Sequence, residues 1–139
     1  MGGNILFADA EHREFYTEQT AKLMQDCYHR ALIYTLGICS DTRRRFDSIY
    51  DVKDRSINPE AINAEWQTGG SMKVTRLAFN LFTDGTPTAC WSSNSGDVAK
   101  DIAELTQYSV SDIFCCSFAP YFFEAIKIRY PEYLRGGDR

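Results

Sequence analysis

Between Val74 and Phe82 the chain spaces its apolar residues in a way that suits only an α-helix. Val74, Leu77, Ala78, Leu81 and Phe82 fall at i, i+3, i+4, i+7 and i+8, a single stripe along one side. Lys73, Arg76 and Asn80 lie off that stripe. Thr68-Gly69-Gly70-Ser71 precedes the segment and Asp84-Gly85-Thr86-Pro87 follows it, supplying start and stop signals. Such a stripe has to be covered, and the rest of the chain offers little strand to cover it. No segment alternates cleanly, no Asn-Gly turn occurs, and the extended candidates Thr88–Ser92 and Val110–Phe118 have no evident pairing partner. The stripe is therefore expected to pack on other helices, and the expected fold class is mainly α.

Those helices can be read in order. Asp9 caps a helix from Ala10 to Met24, with Phe15, Gln19, Leu23 and Cys27 at four-residue steps. Asp26 restarts the chain as a helix through Cys27–Leu36, with Leu32, Thr35, Leu36 and Cys39 on one side and Gly37 at its end. Ser40 is expected to cap a third helix from Asp41 to Tyr50, with Phe46, Ile49 and Tyr50 inward. Asn58 caps a short helix from Pro59 to about Ala64. Ser95 or Asp97 opens a helix to Gln107, with Val98, Ile102 and Leu105 expected to point inward. Ser109 or Ser111 opens a short helix to Cys116. Pro120 sits in the first turn of the last helix, which carries Tyr121, Phe122, Ala125, Ile126, Arg129 and Tyr130 on one side and is stopped by Pro131. A chain of 139 residues suits one core and needs no disulfide or metal to hold it. The expected architecture is a compact single-domain bundle of five to seven helices over residues 1–139, with an irregular loop around 84–96 and a frayed tail at 134–139.

Charge and cysteine usage narrow the function. Fifteen Lys and Arg against nineteen Asp and Glu give a net charge of -4. Nucleic-acid binders normally present a basic domain, because their cations displace counterions from phosphates, so direct nucleic-acid binding is not expected. An acidic surface suits a basic protein partner instead. No apolar run approaches the ~20 residues that span a bilayer, so no membrane segment is expected. Met1-Gly2-Gly3-Asn4-Ile5-Leu6 has no basic leader region. Cys27, Cys39, Cys90, Cys115 and Cys116 form no C-x-x-C pair. Free thiols in the reducing cytoplasm are the expected state.

The residues able to carry chemistry are sparse. His12 and His29 are the two histidines. Cys115 and His29 can form a nucleophile–base pair only if the fold brings them together, and Phe114-Cys115-Cys116-Ser117-Phe118 reads more simply as core filler. Cys27-Tyr28-His29 sets its two ligands on different sides of a helix, so no metal or cofactor is expected. Glu11, Glu14 and Glu18 share one helical face, as do Asp97, Asp101 and Glu104. Both sets are expected to be solvated faces near helix starts, with divalent-cation catalysis as the competing reading. Gly69, Gly70 and Ser71, helped by Lys73 and Arg76, form a minor candidate for an anion pocket at a helix start, although no Walker lysine follows the glycines. Arg43, Arg44 and Arg45 point in different directions and are expected to pair with Asp41, Asp47 and Asp51, leaving Arg44 as a candidate contact. Aromatic residues make up 14%, more than a core of this size requires, and Trp91 and Tyr108 are the ones expected to meet a partner.

Two stretches carry a resemblance. Trp66-Gln67-Thr68-Gly69-Gly70-Ser71 with Arg76-Leu77-Ala78-Phe79-Asn80-Leu81-Phe82, and Ser109-Val110-Ser111-Asp112-Ile113-Phe114 with Glu124-Ala125-Ile126-Lys127-Ile128-Arg129-Tyr130, resemble a small uncharacterised protein family of gut Firmicutes mobile elements. The likeness covers about residues 45–133. It implies a mobile-element or phage context, where small acidic proteins often act by binding host defence nucleases, CRISPR effectors included. The expected function is thus a non-enzymatic cytoplasmic protein that binds a macromolecular partner through Trp91, Tyr108, Arg44, Asp97 and Asp101, in the manner of an anti-CRISPR. The alternatives are a small metal-dependent hydrolase or nuclease using Glu11, Glu14, Asp97 or Asp101, and a ligand-sensing module with its pocket at Gly69-Gly70.

Overall fold

The computed structural model describes residues 4–23, 26–89 and 98–133. Among them run eight α-helices: α1 (Ala10–Lys22), α2 (Cys27–Gly37), α3 (Ser40–Arg44), α4 (Phe46–Ile49), α5 (Gly69–Thr83), α6 (Val98–Thr106), α7 (Val110–Ile113) and α8 (Ala119–Arg129). Short 3-10 helices occupy Pro59–Asn63 and Pro131–Tyr133. The fold is mainly α, as the periodicity of α5 predicts. The expected loop over 84–96 and the tail at 134–139 lie partly or wholly outside the described residues.

α2 is the axis. Every residue from Ala31 to Leu36 is fully buried, so this helix is enclosed on all sides rather than striped on one. α5, α1 and α8 pack around it. The stripe on α5 does what its spacing demands: Val74, Leu77, Ala78 and Leu81 are buried and Phe82 is packed against the core. α5 opens two residues before Ser71, with both glycines inside its first turn. Thr68 Oγ1 accepts from the Ser71 amide while Ser71 Oγ accepts from the Thr68 amide, a reciprocal cap. Asp84 closes α5 in the left-handed conformation, φ 63°.

Two expectations give way. The helix expected over Asp41–Tyr50 breaks at Arg45 into α3 and α4, and Cys39 rather than Ser40 precedes it. Tyr50 then leaves the helix and pairs antiparallel with a second short strand: β1 (Tyr50–Asp51) lies on β2 (Ser56–Ile57), with Tyr50 opposite Ile57 and Asp51 opposite Ser56. Strands of two residues are too short to show alternation in a sequence, and this hairpin holds Tyr50 against α2. The second correction concerns α6, whose apolar side faces away from the core.

Candidate functional site

The orientation of α6 follows from one buried arginine. Arg76 projects from α5 into a nearly closed site, and a buried guanidinium requires a carboxylate with matched hydrogen bonds. Glu104 of α6 supplies it: Arg76 Nε donates to Glu104 Oε2 at 2.7 Å and Nη2 to Oε1 at 3.0 Å. Thr88 Oγ1 donates to the same Oε2 at 2.5 Å. The Tyr108 hydroxyl donates to Thr88 Oγ1 at 2.6 Å and accepts from the Thr88 amide at 3.2 Å. Burial pushes the Tyr108 phenol above its ordinary pKa, so it stays a donor.

This network turns the polar side of α6 inward. Asp101 is only 9% exposed, whereas Val98 and Ile102, one turn apart, are 60% and 49% exposed. The expectation that Val98 and Ile102 would be core residues is therefore overturned: turning them inward would carry Glu104 away and leave the buried Arg76 guanidinium without its carboxylate, at a cost of about 3–5 kcal/mol. The result is an apolar helical face open to solvent.

A second site lies at the start of α2. Asp26 caps that helix, accepting from the His29 amide at 2.8 Å and, through Oδ2, from His29 Nδ1 at 3.0 Å. The other ring nitrogen, Nε2, lies 2.8 Å from the Tyr50 hydroxyl. An ionised carboxylate only accepts, so Nδ1 carries a proton and donates to Asp26, while Nε2 and the Tyr50 hydroxyl share the second hydrogen bond. Burial opposes the charge on Asp26, but the hydrogen bonds from the His29 amide and ring together hold its carboxyl below the usual range. His29 and Tyr50 form the floor of a hollow of about 320 Å³, walled by Lys22, Leu23, Val52 and Arg55. Sequence reading missed this arrangement. The Asp26-x-x-His29 spacing was a visible cap signal, but Tyr50 arrives through a hairpin that left no pattern.

The sequence-predicted residues scatter. Gly70 and Ser71 line a hollow of about 330 Å³ that also contains Asp9, Asp41 and Arg43. The Ser71 amide is already taken by Thr68, and Ser71 Oγ donates to Gln67 Oε1 at 2.6 Å. Gly69 has open space where a side chain would sit. Arg76, named with these glycines, belongs instead to the α6 network alongside Tyr108, and although it lies off the apolar stripe it is buried. Lys73 reaches the Asp112 carbonyl, and its Nζ lies 3.8 Å from Cys115 Sγ. Cys115 is exposed there, and the ring nitrogens of His29 are engaged by Asp26 and Tyr50.

Of the three consecutive arginines, Arg44 pairs with Asp41 at 2.9 Å on the surface, matching its expected partner. Arg43 donates to the Gly37 carbonyl and reaches Asp9 and Glu11, while Arg45 lies over the Trp66 ring. Glu14 and Glu18 are exposed. Among the described residues no three His, Cys, Asp or Glu side chains converge to hold a metal ion. No helix there is long and apolar enough to cross a membrane. Trp91 and Asp97 lie outside the described residues.

No curated protein and no solved structure matches this chain. A family model does, over residues 2–139, and with nearly the whole length covered the chain belongs to DUF6075, a family of unknown function.

Proposed function

We propose that this protein works by binding a basic protein partner, of the nucleic-acid-processing kind that a host defence nuclease represents, through the outward apolar face of α6. The carrying observation is that orientation: an amphipathic helix whose Val98 and Ile102 meet water while its carboxylates are turned inward. Exposed apolar faces held on a rigid polar tether mark docking surfaces. The net charge of -4 favours a partner with a basic rim, and steers its approach. Tyr108, Asp101 and Arg76 serve this reading as the tether rather than as contacts. A mobile-element origin and a cytoplasmic setting belong to the same proposal; the first rests on the sequence resemblance and the second on the five cysteines without a C-x-x-C pair.

The test uses purified defence nucleases in a cleavage assay with direct titration by calorimetry. Inhibition that is abolished by Ile102→Asp, with unchanged helicity and melting temperature, is the expected result. Two outcomes overturn the proposal. One is nuclease binding that tolerates both Val98→Asp and Ile102→Asp. The other is a dimer in light scattering that dissociates on Ile102→Asp, which would make a second copy the occupant.

A further inference from the structure

The hollow above His29 and Tyr50 carries a separate reading. Its walls come from three places: the last turn of α1 supplies Lys22, the residue after it is Leu23, and the β1–β2 hairpin supplies Val52 and Arg55. Among the described residues, Arg43, Arg44, Arg76, Lys127 and Arg129 have a carboxylate within ion-pair distance, whereas Arg13, Arg30, Arg45, Lys53 and Lys73 have none there. Lys22 and Arg55 belong with the second group, and both face the same concavity. Arg55 also holds φ 56°, a left-handed conformation that costs a residue with a Cβ about 1–2 kcal/mol and is ordinarily given to glycine or asparagine. The chain thus keeps a long cation at a position where glycine would be easier.

The floor adds direction. The His29–Tyr50 hydrogen bond fixes both rings, and the Asp26 carboxylate sits behind the imidazole, outside the lining of the hollow. Leu23 and Val52 leave an apolar wall beside the two cations. At about 320 Å³ the hollow is at the small end of ligand sites, which run from roughly 300 to 1,000 Å³.

The geometry points to a binding site for a small phosphate monoester, with Arg55 and Lys22 on the phosphate and Leu23 and Val52 against the organic part. A guanidinium fork matches two phosphate oxygens, and a lysine adds a point charge for the second negative charge. The ester is a sugar phosphate or a mononucleotide, and the same experiment separates them. This site is independent of the α6 face.

Isothermal titration of the full chain with ribose 5-phosphate, adenosine 5′-monophosphate, inorganic phosphate and adenosine tests it. At least one monoester is expected to bind, more tightly than inorganic phosphate, while adenosine gives no heat. Lys22→Gln and Arg55→Gln are each expected to weaken the monoester by about tenfold or more. Arg55→Gly, which removes the charge and relieves the backbone, is expected to lose binding while raising the melting temperature. Absence of heat from both monoesters at millimolar concentration overturns the assignment. So does binding that survives Lys22→Gln and Arg55→Gln, or inorganic phosphate that binds as tightly as the esters.

Discussion

His12 touches no water, and both of its ring nitrogens are occupied. Nδ1 accepts from the Ala8 amide at 3.0 Å, and Nε2 donates to the Tyr34 carbonyl at 2.8 Å. That pattern needs the neutral ring, because a protonated Nδ1 cannot accept. Burial lowers its pKa first, with Arg43 adding to the effect, while the Tyr34 carbonyl and Asp9 oppose it. The sign follows from proton counting: below about pH 6.5 the unfolded chain binds a proton that the folded chain refuses. Stability is therefore full above that pH and is lost as pH falls through the lower folded value. Thermal melts from pH 8 to pH 5 should show the loss, and His12→Gln should lower the melting temperature at pH 8 while flattening this part of the profile. Gly37 is the neighbouring constraint. A Cβ there would come within 2.8 Å of His12 Cδ2 and of Phe15 Cδ2, so α1 and α2 approach only because position 37 is bare. Gly37→Ala should cost about 1–3 kcal/mol in urea denaturation, the usual penalty of overpacking.

At the level of elements, α6 shows where periodicity stops being informative. Val98, Ile102 and Leu105 mark a helix correctly, and the element is present at Val98–Thr106. Spacing alone does not say which side faces in. That choice was made by Arg76 and Glu104, 28 residues apart, through a pairing no local pattern announces. In α5, by contrast, the stripe and the caps were legible because they are local and agree, while the burial of Arg76 beside that stripe was not. The hairpin at Tyr50 was illegible for the opposite reason: two-residue strands leave no alternation. The α6 tether makes a measurable claim. Glu104→Gln leaves the Arg76 guanidinium buried without its counter-charge and should destabilise by about 3 kcal/mol. Ile102→Asp, at a position 49% exposed, should change stability by no more than about 0.5 kcal/mol. Chemical denaturation of the two variants side by side checks this. The order reverses if Ile102 is in truth a core residue.

Across the whole molecule, α2, α5 and α8 meet at Arg129. Arg129 Nε donates to the Leu81 carbonyl at 2.8 Å, Nη2 donates to Asp84 Oδ1 at 2.9 Å, and Nη1 lies 3.6 Å from Cys27 Sγ. Its guanidinium is stacked on Tyr28 at 3.7 Å and on Tyr130 at 4.4 Å. One planar group thus joins the end of α8 to the end of α5 and the start of α2. The Leu81 carbonyl is near the end of α5, where intrahelical donors run out, so Arg129 satisfies an acceptor that would otherwise be orphaned. Lysine carries the same charge but has neither the fork nor the flat face for two rings. Arg129→Lys should cost about 2 kcal/mol and Arg129→Met somewhat more, since methionine also leaves Asp84 unpaired. If the three helices share one cooperative unit, both variants shift a single denaturation transition to lower urea without splitting it. Hydrogen exchange sharpens the result. Amides of α2, α5 and α8 should lose protection together in Arg129→Met, whereas loss confined to α8 would show that the arginine only anchors its own helix.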